Sequence, residues 1–354
     1  EARACLHVVE IRDAYLTTEE RQGLAQRALS LFQTQAVADG EMDAWFVLGD
    51  VKWAAGQSID AEQAYQQAKR ILHERLLATQ PDSPRWLRDL AIAHSKLGDV
   101  RMAQGQLDAA AQAFSEDLVI STRLVALDPA NTGRLRDLVV AHSKLGDVRM
   151  AQGQLDAAAQ AFSEDLTIST RLVALDPANT GWLRGLAVAH SKLGDVRMAQ
   201  GQLDAAAQAF SEGLAINTQL VALDPANTGW LRGLAVAHSK LGDVRMEQKQ
   251  LDAAAQAFSE SMAIFTRLVA LDPVNSSWQY DLAITLFKLG QCYFYTGKPK
   301  AGVLLLRKAE SQLSQLVQQS PDHAEWRKNL QSVRQALRQL SPSPTKPTHK
   351  PKHR

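Results

Sequence analysis

A block of 48 residues recurs almost verbatim along this chain, and no other feature restricts its fold as strongly. The stretch from His142 to Ala189 follows a near copy that starts at His94 and precedes others that start at His190 and His238. The first two copies differ only at Val119/Thr167, Arg134/Trp182, Asp137/Gly185 and Val139/Ala187, so 44 of 48 residues are identical. A fixed period of this size marks a repeat array, in which each unit buries its apolar face on its neighbours. Such an array escapes the size limit that normally divides a 354-residue chain into compact domains.

Two independent rulers index the array. A Leu-Gly pair stands at Leu48-Gly49, Leu97-Gly98, Leu145-Gly146, Leu193-Gly194, Leu241-Gly242 and Leu289-Gly290. Trp86, Arg134, Trp182, Trp230, Trp278 and Trp326 form a second row, with arginine as its exception. The rulers give six units, and Trp326 opens a truncated seventh whose helix runs to about Leu340. In the third unit Leu135, Leu138, Val139, His142, Leu145 and Val148 recur at helical steps, as do Leu155, Ala158, Ala159, Phe162 and Leu166. Each unit therefore reads as two amphipathic helices.

The punctuation agrees. Gly153-Gln154 separates the two helices, and Asp156 sits in the first turn of the second, where its charge complements the helix dipole. Asp176-Pro177 ends that helix, because proline disfavours helical geometry in the preceding residue, and Asn179 or Thr180 can cap the next. Gly146, Ala158 and Ala161 allow close helix approach, with Phe162 and Leu166 filling the space between layers. Residues 1–40 read as an irregular helical cap, one helix over Ala2 to Tyr15 and another over Thr18 to Ala36. Thr17 is placed to cap the second, and Leu24, Leu29 and Phe32 form its apolar side. The expected organisation is this cap, six repeats over 41–325, a capping helix over 326–340 and a disordered basic, proline-rich tail over 341–354.

With these positions in view, the units resemble tetratricopeptide (TPR) repeats, whose signature contains W-x2-L-G-x2-Y, then A-x3-F, then P. Trp45-Phe46-Val47-Leu48-Gly49 carries the first part. Ala61 with Tyr65, Ala110 with Phe114, Ala158 with Phe162, Ala206 with Phe210 and Ala254 with Phe258 carry the second. The departures are a histidine in place of the tryptophan, an arginine (Arg101, Arg149, Arg197, Arg245) in place of the tyrosine, and the 48-residue period where the family has 34. The excess falls at the end of the second helix and the start of the next first helix, about two extra turns each. The resemblance, to an extended TPR-like variant, implies an all-α fold: a right-handed α-solenoid of stacked antiparallel helix pairs.

Composition narrows the function by exclusion. A net charge of +1, with 22% charged residues, gives no global pull toward nucleic acid or membrane, and no apolar run approaches the roughly 18 residues needed to span a bilayer. Cys5 and Cys292 lie far apart and outside any CxxC spacing, so neither a disulfide framework nor a zinc site is encoded. A reducing, cytoplasmic location is the expectation. The start at Glu1 leads us to expect an upstream segment, and in bacterial multidomain proteins TPR-like arrays often accompany a sensor or effector domain.

Candidate chemistry is sparse. His94, His142, His190 and His238 occupy equivalent helical positions about one layer, on the order of 10 Å, apart, too far for a shared zinc ion. They read as packed structural histidines. No P-loop, GxGxxG, nucleophile elbow or HExxH segment occurs, so no catalytic residue, cofactor or metal is expected. Lys96 and Asp99, with their copies, stand at an i,i+3 spacing that suits an ion pair within one helix. The Trp row reads as packing between units. By resemblance to TPR domains, one face of each first helix lines the concave groove, which makes Ser95, Asp99, Met102, Ser143, Asp147, Met150, Ser191, Asp195, Met198, Ser239, Asp243 and Met246 candidate peptide contacts. A protein or peptide partner, basic or amphipathic, suits that ladder. Self-assembly through the repeated edges is the alternative, followed by weak nucleic-acid or anionic-surface binding through the tail. The near-identity of the central repeats suggests that specificity lies in the divergent ends, residues 1–80 and 274–354.

Overall fold

The computed structural model describes residues 1–11 and 15–340. Residues 12–14 of the first expected helix, and the whole 341–354 tail, lie outside the described residues; Tyr15, the expected helix end, is described and lies outside α1. The chain divides into two units, Glu1–Asp176 and Pro177–Arg354. Among the described residues no helix is long and apolar enough to cross a membrane.

The first unit holds α1 (Ala2–Ile11), α2 (Thr18–Thr34), α3 (Ala38–Ala54), α4 (Ser58–Ile71), α5 (Pro84–Ala103), α6 (Leu107–Leu127), α7 (Thr132–Ala151) and α8 (Leu155–Leu175). The second holds α9 (Thr180–Ala199), α10 (Leu203–Leu223), α11 (Thr228–Glu247), α12 (Leu251–Leu271), α13 (Ser276–Tyr295), α14 (Pro299–Gln319) and α15 (Ala324–Leu340). Within each unit every helix packs on the one before and the one after, so each is an α-solenoid of stacked antiparallel pairs.

The caps follow the sequence closely. Asn131, Asn179, Asn227 and Asn275 accept hydrogen bonds from the N–H groups of Arg134, Trp182, Trp230 and Trp278 at 3.1–3.2 Å. The side chain that caps α9 is thus Asn179, and Thr180 is its first helical residue. Thr17 caps α2 reciprocally with Glu20, the side chain of each accepting a hydrogen bond from the other's backbone N–H. That helix ends at Thr34, short of the expected Ala36. Ala36 turns to φ 53°, a left-handed conformation that stops a helix, and α3 starts two residues later.

Close approach of the paired helices rests on the Leu-Gly glycine. A Cβ on Gly146 would lie 2.7 Å from Phe162 Cδ1 and 2.8 Å from its Cζ, well inside van der Waals contact. The ring lies against the α7 backbone and is 2% exposed. The turn that follows each first helix needs positive φ: Gly153 adopts 72°, while the fourth of the near-identical repeats places Lys249 there at 60°.

One interval breaks the period. Leu48 and Leu97 are 49 residues apart, and Gly56 to Pro81 is one residue longer than Gly105 to Pro129. The extra residue is absorbed as a π-helical turn, Leu72–Leu76, that continues α4, with Leu77 N–H donating to Leu72 O at 2.8 Å. Both turns keep their register because the insertion widens one turn of helix.

Candidate functional site

The first-helix residues expected to line a groove take different places. Asp99 accepts a hydrogen bond from Lys144 Nζ at 2.5 Å, Asp195 from Lys240 at 2.6 Å and Asp243 from Lys288 at 2.7 Å; Asp50, earlier in the chain, accepts from Lys96 at 2.5 Å. This corrects the expected ion pair within a helix, since Lys96 serves the preceding repeat and not Asp99. The physical reason lies in the ring beneath. Lys144 Nζ stands 5.8 Å from the Phe114 centroid and Lys288 Nζ 5.8 Å from that of Phe258, so each lysine covers the buried ring of the repeat before it and meets that repeat's carboxylate. These half-exposed pairs are worth at most about 1 kcal/mol each. Their effect is to balance the negative charge of the ladder. Asp147 occupies the equivalent place on α7, partly buried.

The methionines pack between repeats. Met102 lies against Phe114 and Val148, Met198 against Phe210 and Val244, and Met246 against Phe258 and Cys292; Met150 is partly buried. Met246 Sδ and Cys292 Sγ are 3.0 Å apart, and burial pushes that thiol up to about 11. Both cysteines are free and buried.

The histidines face glutamates of their own repeats. His94 Nδ1 lies 2.7 Å from Glu116 Oε2, and His190 Nδ1 lies 3.0 Å from Glu212 Oε2. Burial lowers His94 to about 4 despite the opposing pull of Glu116, and it lowers His142, His190 and His238 as well. Neutral imidazoles therefore pack at neutral pH. His94 also borders a cavity with Lys69, His73, Leu77 and Arg123, next to the π-helical turn.

The serines lead to a feature that period-counting missed. Ser95 reaches the carboxylate of Asp117 on α6, to which Ser121 Oγ also donates at 3.0 Å. Burial raises this carboxylate to about 6, with the two hydroxyls and Lys144 pulling the other way. Beside it Arg88 holds Asp137 through two bonds, Nε to Oδ2 at 2.6 Å and Nη2 to Oδ1 at 3.3 Å. Together these residues line a cavity of about 260 Å³ between α5, α6 and α7. Ser191 lines an equivalent cavity of about 280 Å³ between α9, α10 and α11. Ser143 and Ser239 are partly buried at the same position of their own helices. A signal was present in the sequence: Asp137/Gly185 is one of the four differences between the central repeats, at the position where the arginine ladder takes its acid.

Within the Trp row, Trp86 and Trp326 are buried, and the others are partly buried at their helix starts. Trp326 stacks between His323, at 4.1 Å, and Tyr280, at 6.3 Å. Arg134 uses its guanidinium to reach Leu124 O at 3.0 Å.

No family model matches the sequence, and no curated protein matches it. Solved structures do. BtubC (BKLC) from P. vanneervenii is 17% identical over 84% of this chain and 98% of its own, with a TM-score of 0.53. The apo form of RapI is 16% identical over 84% of this chain and 95% of its own, with a TM-score of 0.54. The nearly identical TPR-like repeats of a Podosopora anserina putative kinesin light chain are 16% identical over 64% of this chain and 94% of that one, with a TM-score of 0.48. At these identities the likeness is one of fold, and the fold is a TPR-like α-solenoid.

Proposed function

We propose that the chain is a non-catalytic protein-interaction scaffold that receives partner polypeptide segments on the first helices of each unit. The observation that carries this reading is the recurrence of small, partly polar cavities at the first-helix seam, one in each unit and each bordered by an exposed valine: Val140 at one, Val188 at the other. Recurring subsites suit a polypeptide, whose side chains also recur, better than a single compact substrate. Because the Asp ladder is balanced by lysines, the partner's charge preference is set at the cavities and not by free carboxylates along the helices.

The test is to pan a random peptide library on the immobilised chain and map retained peptides by hydrogen exchange. Protection concentrated on α5, α7, α9 and α11 is the expected result. Protection confined to the second helices, or no retained peptide, would refute the reading.

A second reading has its own observation. Leu127 and Leu175 in the first unit, and Leu223 and Leu271 in the second, end successive second helices and are 54–60% exposed, apolar edges suited to self-association. Concentration-dependent light scattering that vanishes when all four are changed to serine would establish it.

A further inference from the structure

The two seam cavities are the same site built twice, two repeats apart, with one chemical difference. Position by position, Arg88 becomes Arg184, Ser95 becomes Ser191 and Arg136 becomes Arg232, while the apolar wall of Ala91 and Val140 becomes Ala187 and Val236. The two acids do not survive: Asp117 becomes Gly213 and Asp137 becomes Gly233. The cavities are similar in size, about 260 and 280 Å³, and differ in charge.

That difference removes a specific bond. Along the first helices the arginine takes a carboxylate 49 residues later: Arg88 holds Asp137, and Arg232 holds Asp281 at 2.9 Å. The residue 49 after Arg184 is Gly233, which has no side chain to offer. Arg232 is committed to Asp281, so Arg184 is the cation of this cavity without an acid. It is exposed at the rim, and among the described residues it has no hydrogen bond or ion pair. Asn217 Oδ1 lies where a Cβ on Gly233 would come within 2.6 Å, so the amide oxygen occupies part of the vacated space, while its Nδ2 donates to Gly213 O at 2.9 Å. Trp230 closes one side.

Resting on the scaffold reading above, we propose that this cavity takes the side-chain carboxylate of an aspartate or glutamate in a partner polypeptide, supplying in trans the acid that Asp137 supplies in cis. A guanidinium donates to such a carboxylate through two parallel bonds, the arrangement already present at Arg88 and Asp137. The apolar wall and Trp230 hold the neighbouring backbone, and the Ser191 hydroxyl donates to a remaining oxygen lone pair, while Asn217 keeps its Nδ2 on Gly213 O. In the first unit the corresponding cavity already carries the chain's own carboxylates, Asp117 and Asp137, which disfavour a further acid.

The test uses N-acetyl-aspartate N-methylamide as the probe, its asparagine counterpart as the control, and acetate as the small free carboxylate. Binding to the full chain is read from NMR shifts of the Trp230 indole and Arg184 side-chain N–H groups. The aspartate probe is expected to shift both signals and to bind at least about tenfold more tightly than the asparagine control. Arg184→Gln should abolish that preference. Asn217→Ser with Gly233→Asp restores in cis the acid that Asp137 gives Arg88, so it should fold and exclude the probe. Equal response to the two probes, a retained preference in Arg184→Gln, or acetate binding as tight as the aspartate probe would overturn the proposal. Peptides that protect the first helices but carry no acidic preference would leave the scaffold standing and defeat this site alone.

Discussion

Two glycines in the middle of first helices should respond oppositely to the same substitution. Alanine is the better helix former by about 1 kcal/mol, so Gly→Ala stabilises wherever the new methyl finds room. At Gly185 on α9 nothing lies within 4 Å of the added carbon, and Gly185→Ala is expected to raise stability by most of that amount. At Gly146 the methyl would stand 2.7 Å from Phe162 Cδ1, where carbon pairs prefer about 3.5–4.0 Å. The ring is 2% exposed, with buried Ala158 and Ala161 on its own helix, so it has little space in which to retreat. Overpacking of this kind costs about 1–3 kcal/mol, which cancels or outweighs the propensity gain. Replacing Phe162 by leucine removes the ring edge, and in that background Gly146→Ala should become favourable. The coupling between the two positions is then about 1–3 kcal/mol. Urea unfolding followed by far-ultraviolet circular dichroism gives the four stabilities of the cycle. Hydrogen exchange on α7 and α8 guards against partial unfolding of the array. If Gly146→Ala stabilises as much as Gly185→Ala, or if the coupling is near zero, the ring does not rest on the glycine.

Two further outcomes are expected. Lys249 occupies the turn position that glycine holds in neighbouring repeats, at φ 60°, so Lys249→Gly should raise the unfolding midpoint by an amount equivalent to about 0.5–1 kcal/mol, measured by thermal denaturation; a lower midpoint would show that the lysine side chain contributes more than its backbone strain costs. Asp117, 4% exposed, titrates at about 6 in the folded chain against 3.8 for the ordinary side chain. The folded state holds this proton more tightly than the unfolded state, so the associated stability is present below about pH 4 and lost as pH rises through about 6. Asp117→Asn should therefore match the parent at pH 4 and exceed it by about 1–3 kcal/mol at pH 7.5 in urea titrations. A variant less stable than the parent at pH 7.5 would mean that the ionised carboxylate is held favourably.

Much of the scaffold was legible without coordinates because its determinants are local or periodic. Helix pairs follow from apolar spacing, the asparagine caps from the Asn-Thr-Gly and Asn-Ser-Ser turns, and the small-residue contact from the pairing of Leu-Gly with Ala-x3-Phe. Even the site left a trace, in the substitution of Gly185 and Gly233 for Asp137. The contacts that define the site were less legible. Lys96 with Asp50, and Arg88 with Asp137, join residues 46 and 49 positions apart on different helices. Period-counting places Lys96 and Asp99 on one helix face and offers them to each other, and it says nothing of the lysine's reach to the previous repeat.

The sequence by itself determined that this chain stacks helix pairs, where the helices of the regular repeats are punctuated, and that one repeat carries an extra residue. Tertiary structure alone decided that the extra residue becomes a π-helical turn, that the aspartate ladder is neutralised by lysines, and that Arg184 faces a glycine where its counterpart faces an acid. The reason is geometric. Local pattern fixes which side of a helix is apolar, but the offset between successive repeats, set by rings packed on glycines, selects which polar side chains meet.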